Sequence, residues 1–254
     1  MIIAIIVTII LVLGIYSYQK DKPNKKAKIP IDLDEILEAN VLFYQKLDKK
    51  EKELFRVKVK TFLKEVYIDV VGFELETLDI VLVAASAVIP VFYFDSWQYR
   101  NLSSVIIYPD NFNTDLMYQG ENRIVAGMIG SGRYENQMIL SRKALHQGFK
   151  NNTDKNNTAI HEFVHLIDKS DGVVDGIPSA LLSNTYVIPW LKLIHDEMEA
   201  INSNESDIRA YGGTNQQEFF AVAAEYFFER PDLLKRKHPE LFKMMEMCFS
   251  KNKK

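Results

Sequence analysis

The stretch that most limits what this chain can become is Thr158 to Asp168, where two histidines stand four apart around a glutamate: His161-Glu162-Phe163-Val164-His165. On a helix, positions four apart lie about 40° from each other around the axis, so both imidazoles share one face, one turn apart. The neighbours Ile160, Phe163, Val164, Leu166 and Ile167 are apolar, which predicts a largely buried helix whose histidines face a cleft. Buried imidazoles and a buried carboxylate are costly without partners. A tetrahedral zinc ion is such a partner, and two ring nitrogens at this spacing can bind it together. Glu162, beside the first histidine, is then within reach of a water at the metal and can act as its base. Taken alone, the motif also admits a simple hydrogen-bonded histidine pair.

A catalytic zinc takes three protein ligands and keeps one position open. Asp171, ten residues after His161, stands where some short-loop metalloproteases place the third, but that loop needs glycine at position 168 and this chain has Asp168. His195 sits alone on an amphipathic helix. Glu218 lies early in a strong helix that Asn215 can cap, and Glu225, seven residues on, shares nearly the same face. Spacing does not choose between these two glutamates. The single cysteine, Cys248, offers no thiolate cluster, so a zinc here takes nitrogen and oxygen ligands.

The rest of the composition sets outer bounds. A chain of 254 residues, 47% hydrophobic, can bury one sizeable core. Its net charge of -3 gives no general attraction to nucleic acid, and no direct nucleic-acid binding is expected. One cysteine excludes an internal disulfide framework and fits a reducing compartment. Met1 to Tyr18 carries no charged side chain, and as a helix it spans about 27 Å, near the thickness of a bilayer's hydrocarbon core. No basic residue precedes this run and Ile15-Tyr16-Ser17-Tyr18 is a poor cleavage site, which argues against a signal peptide. Tyr16 and Tyr18 suit the interface, and Lys20, Lys22, Lys25, Lys26 and Lys28 follow at once. By the positive-inside rule the remainder is cytoplasmic. The expectation is a single-span anchor in the cell (inner) membrane over residues 1–18, a basic linker over 19–30, and one domain over 31–254. Ile80 to Phe94 is too short to span and contains Pro90, so it reads as a buried core helix.

Along the domain, Leu33, Ile36, Leu37 and Val41-Leu42 recur at helical spacing. A second helix is predicted over Lys49 to Tyr67, capped by Asp48, with Leu54, Phe55, Val57, Val59, Phe62, Leu63 and Val66 as its apolar positions. Thr77 can cap the helix through Ile89. Val105 to Tyr108 reads as a strand ended by Pro109-Asp110, Arg123 to Gly127 and Gln137 to Leu140 as further strands around a glycine-rich loop. An exposed strand edge near the His-Glu-x-x-His helix would let an extended peptide add by main-chain hydrogen bonds. Ser141 to Gly148 reads as a helical turn, Leu191 to Ile201 and Gln216 to Glu229 as helices, the latter stopped by Pro231, and a last helix follows Pro239.

Two separated segments, His161 to Asp168 and Tyr211-Gly212-Gly213-Thr214-Asn215-Gln216-Gln217-Glu218-Phe219-Phe220-Ala221, together resemble the Mlc titration factor A family of zinc peptidases. The same pair is similar to the catalytic domain of anthrax lethal factor. Phe43 to Leu47, Val105 to Phe112 and Glu225 to Pro231 extend the first resemblance over roughly Asp34 to Phe249; it does not cover the anchor. It implies an α+β, zincin-like metallopeptidase domain, mostly helical with a small mixed sheet. It implies His161, His165 and Glu218 as ligands of one Zn2+ per chain, Glu162 as general base, and Tyr211 near the metal with its hydroxyl on the oxyanion. Asp168 is either a partner orienting a ligand or a helix-end residue. A peptide or protein substrate is expected. The family's namesake titrates a transcriptional repressor, so a regulatory protein that sequesters a partner is the alternative.

Overall fold

The computed structural model describes residues 29–182 and 184–250. The expected anchor and residues 19–28 of the linker lie outside the described residues. Among the described residues no helix is long and apolar enough to cross a membrane.

The domain opens with helices α1 (Leu33–Asn40), α2 (Leu42–Gln45) and α3 (Lys49–Glu65). The start of α3 is fixed by a reciprocal cap. Asp48 accepts the N–H groups of Lys50 and Glu51 at 2.8 and 2.9 Å, and Glu51 accepts that of Asp48 at 3.1 Å, satisfying donors the first turn leaves unpaired. Its buried face is Phe55, Val59, Phe62 and Leu63, whereas Leu54 and Val57, expected on that face, are exposed. The helix does not reach Tyr67. Tyr67–Val70 is strand β1, where aromatic and β-branched side chains suit a pleated, half-buried surface.

Helix α4 (Thr77–Val88) is the expected core helix, buried from Val81 through Val88. Its cap is Glu76, paired reciprocally with Asp79, not Thr77. The run then tightens into a 3-10 turn over Ile89–Val91 around Pro90, since proline cannot donate to the helical ladder.

Strands β2 (Ser104–Tyr108), β3 (Gly127–Ile129) and β4 (Gln137–Ser141) complete a four-stranded sheet in the order β1-β2-β4-β3. The first two pairings are parallel, with Ile68 opposite Val105 and Ile107 opposite Leu140; β3 runs antiparallel to β4. The third strand begins where the predicted Arg123 to Gly127 ends, and Val125 makes only an isolated bridge to Phe112. Strands β1 and β3 are the two edges of the sheet, and β3 is the edge beside α6.

Helices α5 (Arg142–Lys150), α6 (Thr158–Asp168), α7 (Val187–Asn202), α8 (Gln216–Glu229), α9 (Pro231–Lys237) and α10 (Pro239–Phe249) follow. Helix α8 ends before Pro231 as expected, and the same proline also opens α9, because a first helical position has no N–H bond to lose. Helix α6 packs on α8, α4, α5 and strands β3 and β4. Phe163, Phe219 and Phe220 are fully buried around it.

Candidate metal centre

Two asparagine caps aim the site. Asn157 accepts the Ile160 N–H at 3.1 Å to start α6 and donates to the Gly148 carbonyl at 3.0 Å. Asn215 accepts the Glu218 N–H at 2.9 Å to start α8. Capping fixes where each helix begins, and hence which turn presents His161 and which presents Glu218.

The structure brings together His161, His165 and Glu218. His161 Nε2 lies 2.9 Å from Glu218 Oε2 and 3.0 Å from His165 Nε2, and His165 Nε2 is 3.4 Å from the same carboxylate oxygen. Three donors bound to one tetrahedral zinc at about 2.0–2.1 Å would stand roughly 3.3–3.4 Å apart, close to this triangle. The far nitrogen of His161, Nδ1, is 2.7 Å from Glu225 Oε1. With that nitrogen donating to Glu225, Nε2 faces a carboxylate and a second imidazole, a contact that either a proton or a metal ion on Nε2 satisfies. Such an arrangement calls for a cation at the meeting point. Burial pulls the His161 pKa down, but Glu225 and Glu218 outweigh it and push it up to about 10. Burial likewise opposes ionisation of Glu218, yet the two histidines hold its carboxyl well below the usual range. The donor set fits a divalent metal.

Glu162 is 6% exposed and lines the same cleft as His161. Burial pushes its carboxyl up, His161 and His165 opposing, which suits a group that must accept a proton. Gly127 on the edge strand lies directly above: a Cβ there would stand 2.8 Å from both Glu162 Cγ and Thr158 Cγ2. Tyr211, on a 3-10 turn over Ala210–Gly213, is half exposed at the cleft mouth, its ring centroid 5.9 Å from that of His161. It is no core aromatic. Burial and the charges of Glu218 and Glu162 raise its phenol to about 12, so it stays protonated and able to donate.

The remaining candidates separate cleanly. Glu225, fully buried, stands behind His161 and also accepts from the Asn157 backbone and Arg209. Asp168 accepts the Gly176 N–H at 2.8 Å, and burial lifts its carboxyl to about 6. Gly176 has φ +77°, and a Cβ there would meet the Gln216 carbonyl oxygen at 2.4 Å; its own carbonyl accepts from Trp190 Nε1 at 2.7 Å. Asp168 thus seats a loop against the start of α8. Asp171 is exposed and turns its carboxylate to the Val173 N–H, and His195 is exposed on α7; neither is in the cluster. Arg209, which the motifs did not single out, lines the cleft and joins Glu225 to the Asn156 side chain at 2.7 Å. Only its position shortly before Tyr211 could have drawn attention to it.

A mixed α+β domain that sets two histidines of one helix, α6, against a glutamate of another, α8, beside a sheet edge, is of the metallopeptidase class. Comparison then gives the family. The model of the glucose-regulated metallo-peptidase M90 family matches residues 16–250, and the chain belongs to that family. It is 27% identical over 268 residues to an uncharacterised protein of Synechocystis sp., covering 97% of this chain and 96% of that one. It is 27% identical to Mlc titration factor A of Cronobacter sakazakii, over 77% of each chain. It is also 28% identical to that of Escherichia fergusonii, over 82% of each.

Proposed function

We propose that this chain is a membrane-anchored zinc peptidase that hydrolyses peptide bonds, with His161, His165 and Glu218 holding the metal, Glu162 as general base and Tyr211 as oxyanion donor. The observation that carries the reading is the convergence of three donors on one point, with a buried glutamate and a sheet edge alongside. Zinc held there would polarise the scissile carbonyl and make a water acidic enough to attack it at neutral pH. The free edge of β3 offers backbone groups to an extended substrate, and Gly127 lets that backbone pass close over Glu162. Glu162 takes the proton of the attacking water and passes it to the leaving amine. The Tyr211 hydroxyl donates to the oxygen that gains charge. Glu225 accepts from His161 Nδ1 and so fixes the ring's tautomer and direction, as carboxylates behind metal-bound histidines do. Met1 to Tyr18 and the lysines after it support an anchor in the inner membrane with this domain on the cytoplasmic side.

Metal content of the full-length protein and its Glu218→Ala variant tests the site. About one zinc per chain is expected in the parent and none in the variant; zinc retained by the variant would remove Glu218 from the ligand set. The name of the titration factor relatives favours one other reading, sequestration of a regulatory protein. A partner captured equally well by zinc-loaded and zinc-stripped protein, with no cleavage, would favour it over peptidase action.

A further inference from the structure

Helix α6 has a second face on a cavity. While Thr158, His161 and Glu162 line the metal cleft, Asn157 and Ile160 line a separate hollow of about 350 Å³ between the N-terminal helices and the α8–α10 end of the domain. That volume is within the range of small-molecule sites. Six aromatic rings face it: Phe43, Tyr93, Phe149, Phe227, Phe228 and Phe249. Two carboxyl groups line it with them, Glu51 on α3 and Glu229 at the end of α8, and only the second is buried.

Glu229 is 7% exposed. Its Oε2 accepts the Asn156 N–H at 3.1 Å, while Oε1 is buried with no hydrogen-bond partner among the described residues. A buried polar atom left unpaired costs about 1–3 kcal/mol; Oε1 has almost no surface of its own, so a turn of the Glu229 carboxyl toward the hollow is what lets a ligand's donor pair with it. The surroundings set the sign of that donor. Asp154 and Glu225 both act on Glu229 as negative charges, Glu225 being offset by Arg209. Glu51 and Lys46 both line the cavity. Acid groups outnumber basic ones, and aromatic faces attract cations.

We propose that this cavity binds a small primary amine on an apolar stem, its ammonium group donating to the Glu229 carboxylate and its stem lying among the phenylalanine rings. The site is independent of the peptidase reading, since none of its polar groups belongs to the metal cluster. It lies close behind it, however. The Asn156 N–H that Glu229 holds belongs to the residue whose side chain accepts from Arg209.

Burial, with Asp154, pushes the Glu229 carboxyl up to about 8. Below that value an arriving ammonium must displace a proton, so amine affinity should rise by about tenfold per pH unit up to roughly pH 8.

The test is isothermal titration of the full-length protein with 2-phenylethylamine, and with 2-phenylethanol as its uncharged counterpart. At pH 8.5 the amine should bind about tenfold or more tighter, the worth of a charge-assisted hydrogen bond. Glu229→Gln should abolish that preference while still binding the alcohol, which shows that the cavity survives. Absence of saturable binding would overturn the proposal, as would an unchanged preference in Glu229→Gln. Loss of binding in His161→Ala but not in Glu229→Gln would place the amine in the metal cleft and overturn it too. Deleting residues 251–254 should leave the dissociation constant unchanged. Tightening by about tenfold or more would give the seat to the tail's own lysines and overturn the free-amine assignment.

Discussion

The molecule holds two histidines, each bracketed by carboxylates at both ring nitrogens, and they differ in what surrounds them. His161 has Glu225 at 2.7 Å on Nδ1 and Glu218 at 2.9 Å on Nε2. His238 has Glu197 at 3.0 Å on Nδ1 and Asp207 at 2.8 Å on Nε2. Around His238 the negative charge is already met: Lys155 and Lys237 each lie 3.2 Å from Asp207, and Tyr226 donates to it at 2.9 Å. Around His161 a second imidazole and a carboxylate crowd the same nitrogen, and among the described residues no lysine or arginine pairs with Glu218. A histidine between two acids is therefore a strut when cations are built in, and a metal seat when lone pairs converge without one.

The sharpest break in that comparison comes from Glu162, which has no counterpart at His238. Glu162→Gln should keep its zinc and lose about 10²–10⁴-fold in peptide turnover; cleavage at the parental rate would remove it as base. Tyr211→Phe comes next. It should lower kcat by up to about 10²–10³ if the hydroxyl donates to the oxyanion, with zinc content unchanged, and kcat equal to the parent's would return Tyr211 to the cleft rim.

What the sequence made legible was what lies on one helix. The spacing of His161, Glu162 and His165, the cap at Asp48 and the core run near Val83 are local patterns, and local patterns survive folding. By spacing Glu218 was legible only as one of two, and the family resemblance had to choose it, because its place beside the histidines depends on how α8 is turned toward α6, a tertiary fact. For the same reason Arg209, Gly127 and Gly176 carried no signal: each matters through a contact with a distant segment. Strand β1 was hidden because the period of α3 runs on smoothly into Val66, and only pairing with β2 decides that Tyr67 onward is extended. Helix α9 was hidden because a proline ends one helix as readily as it starts another.

Paired variants of the two acid clusters turn the comparison into a measurement. Glu225→Gln should weaken zinc binding about 10–100-fold, the usual result of losing the group that orients a metal-bound histidine, read by competition with a chromophoric chelator.

His238→Gln should leave zinc affinity unchanged and act on stability alone. It removes a bond from each of Glu197 and Asp207, at a cost of about 1–3 kcal/mol. Its pH dependence has a definite sign. The bond to Glu197, with help from Asp207 and against burial, raises the folded pKa of His238 above 6.5. A raised value means that the folded state holds its proton more tightly than the unfolded chain does. The stabilisation is then complete below the unfolded value near 6.5 and is lost as pH climbs through the folded value. Denaturant midpoints of the full-length protein, taken at steps upward from pH 6, should therefore converge with those of His238→Gln as the pH rises. A gap that stays constant would mean that His238 holds the fold by packing rather than by charge.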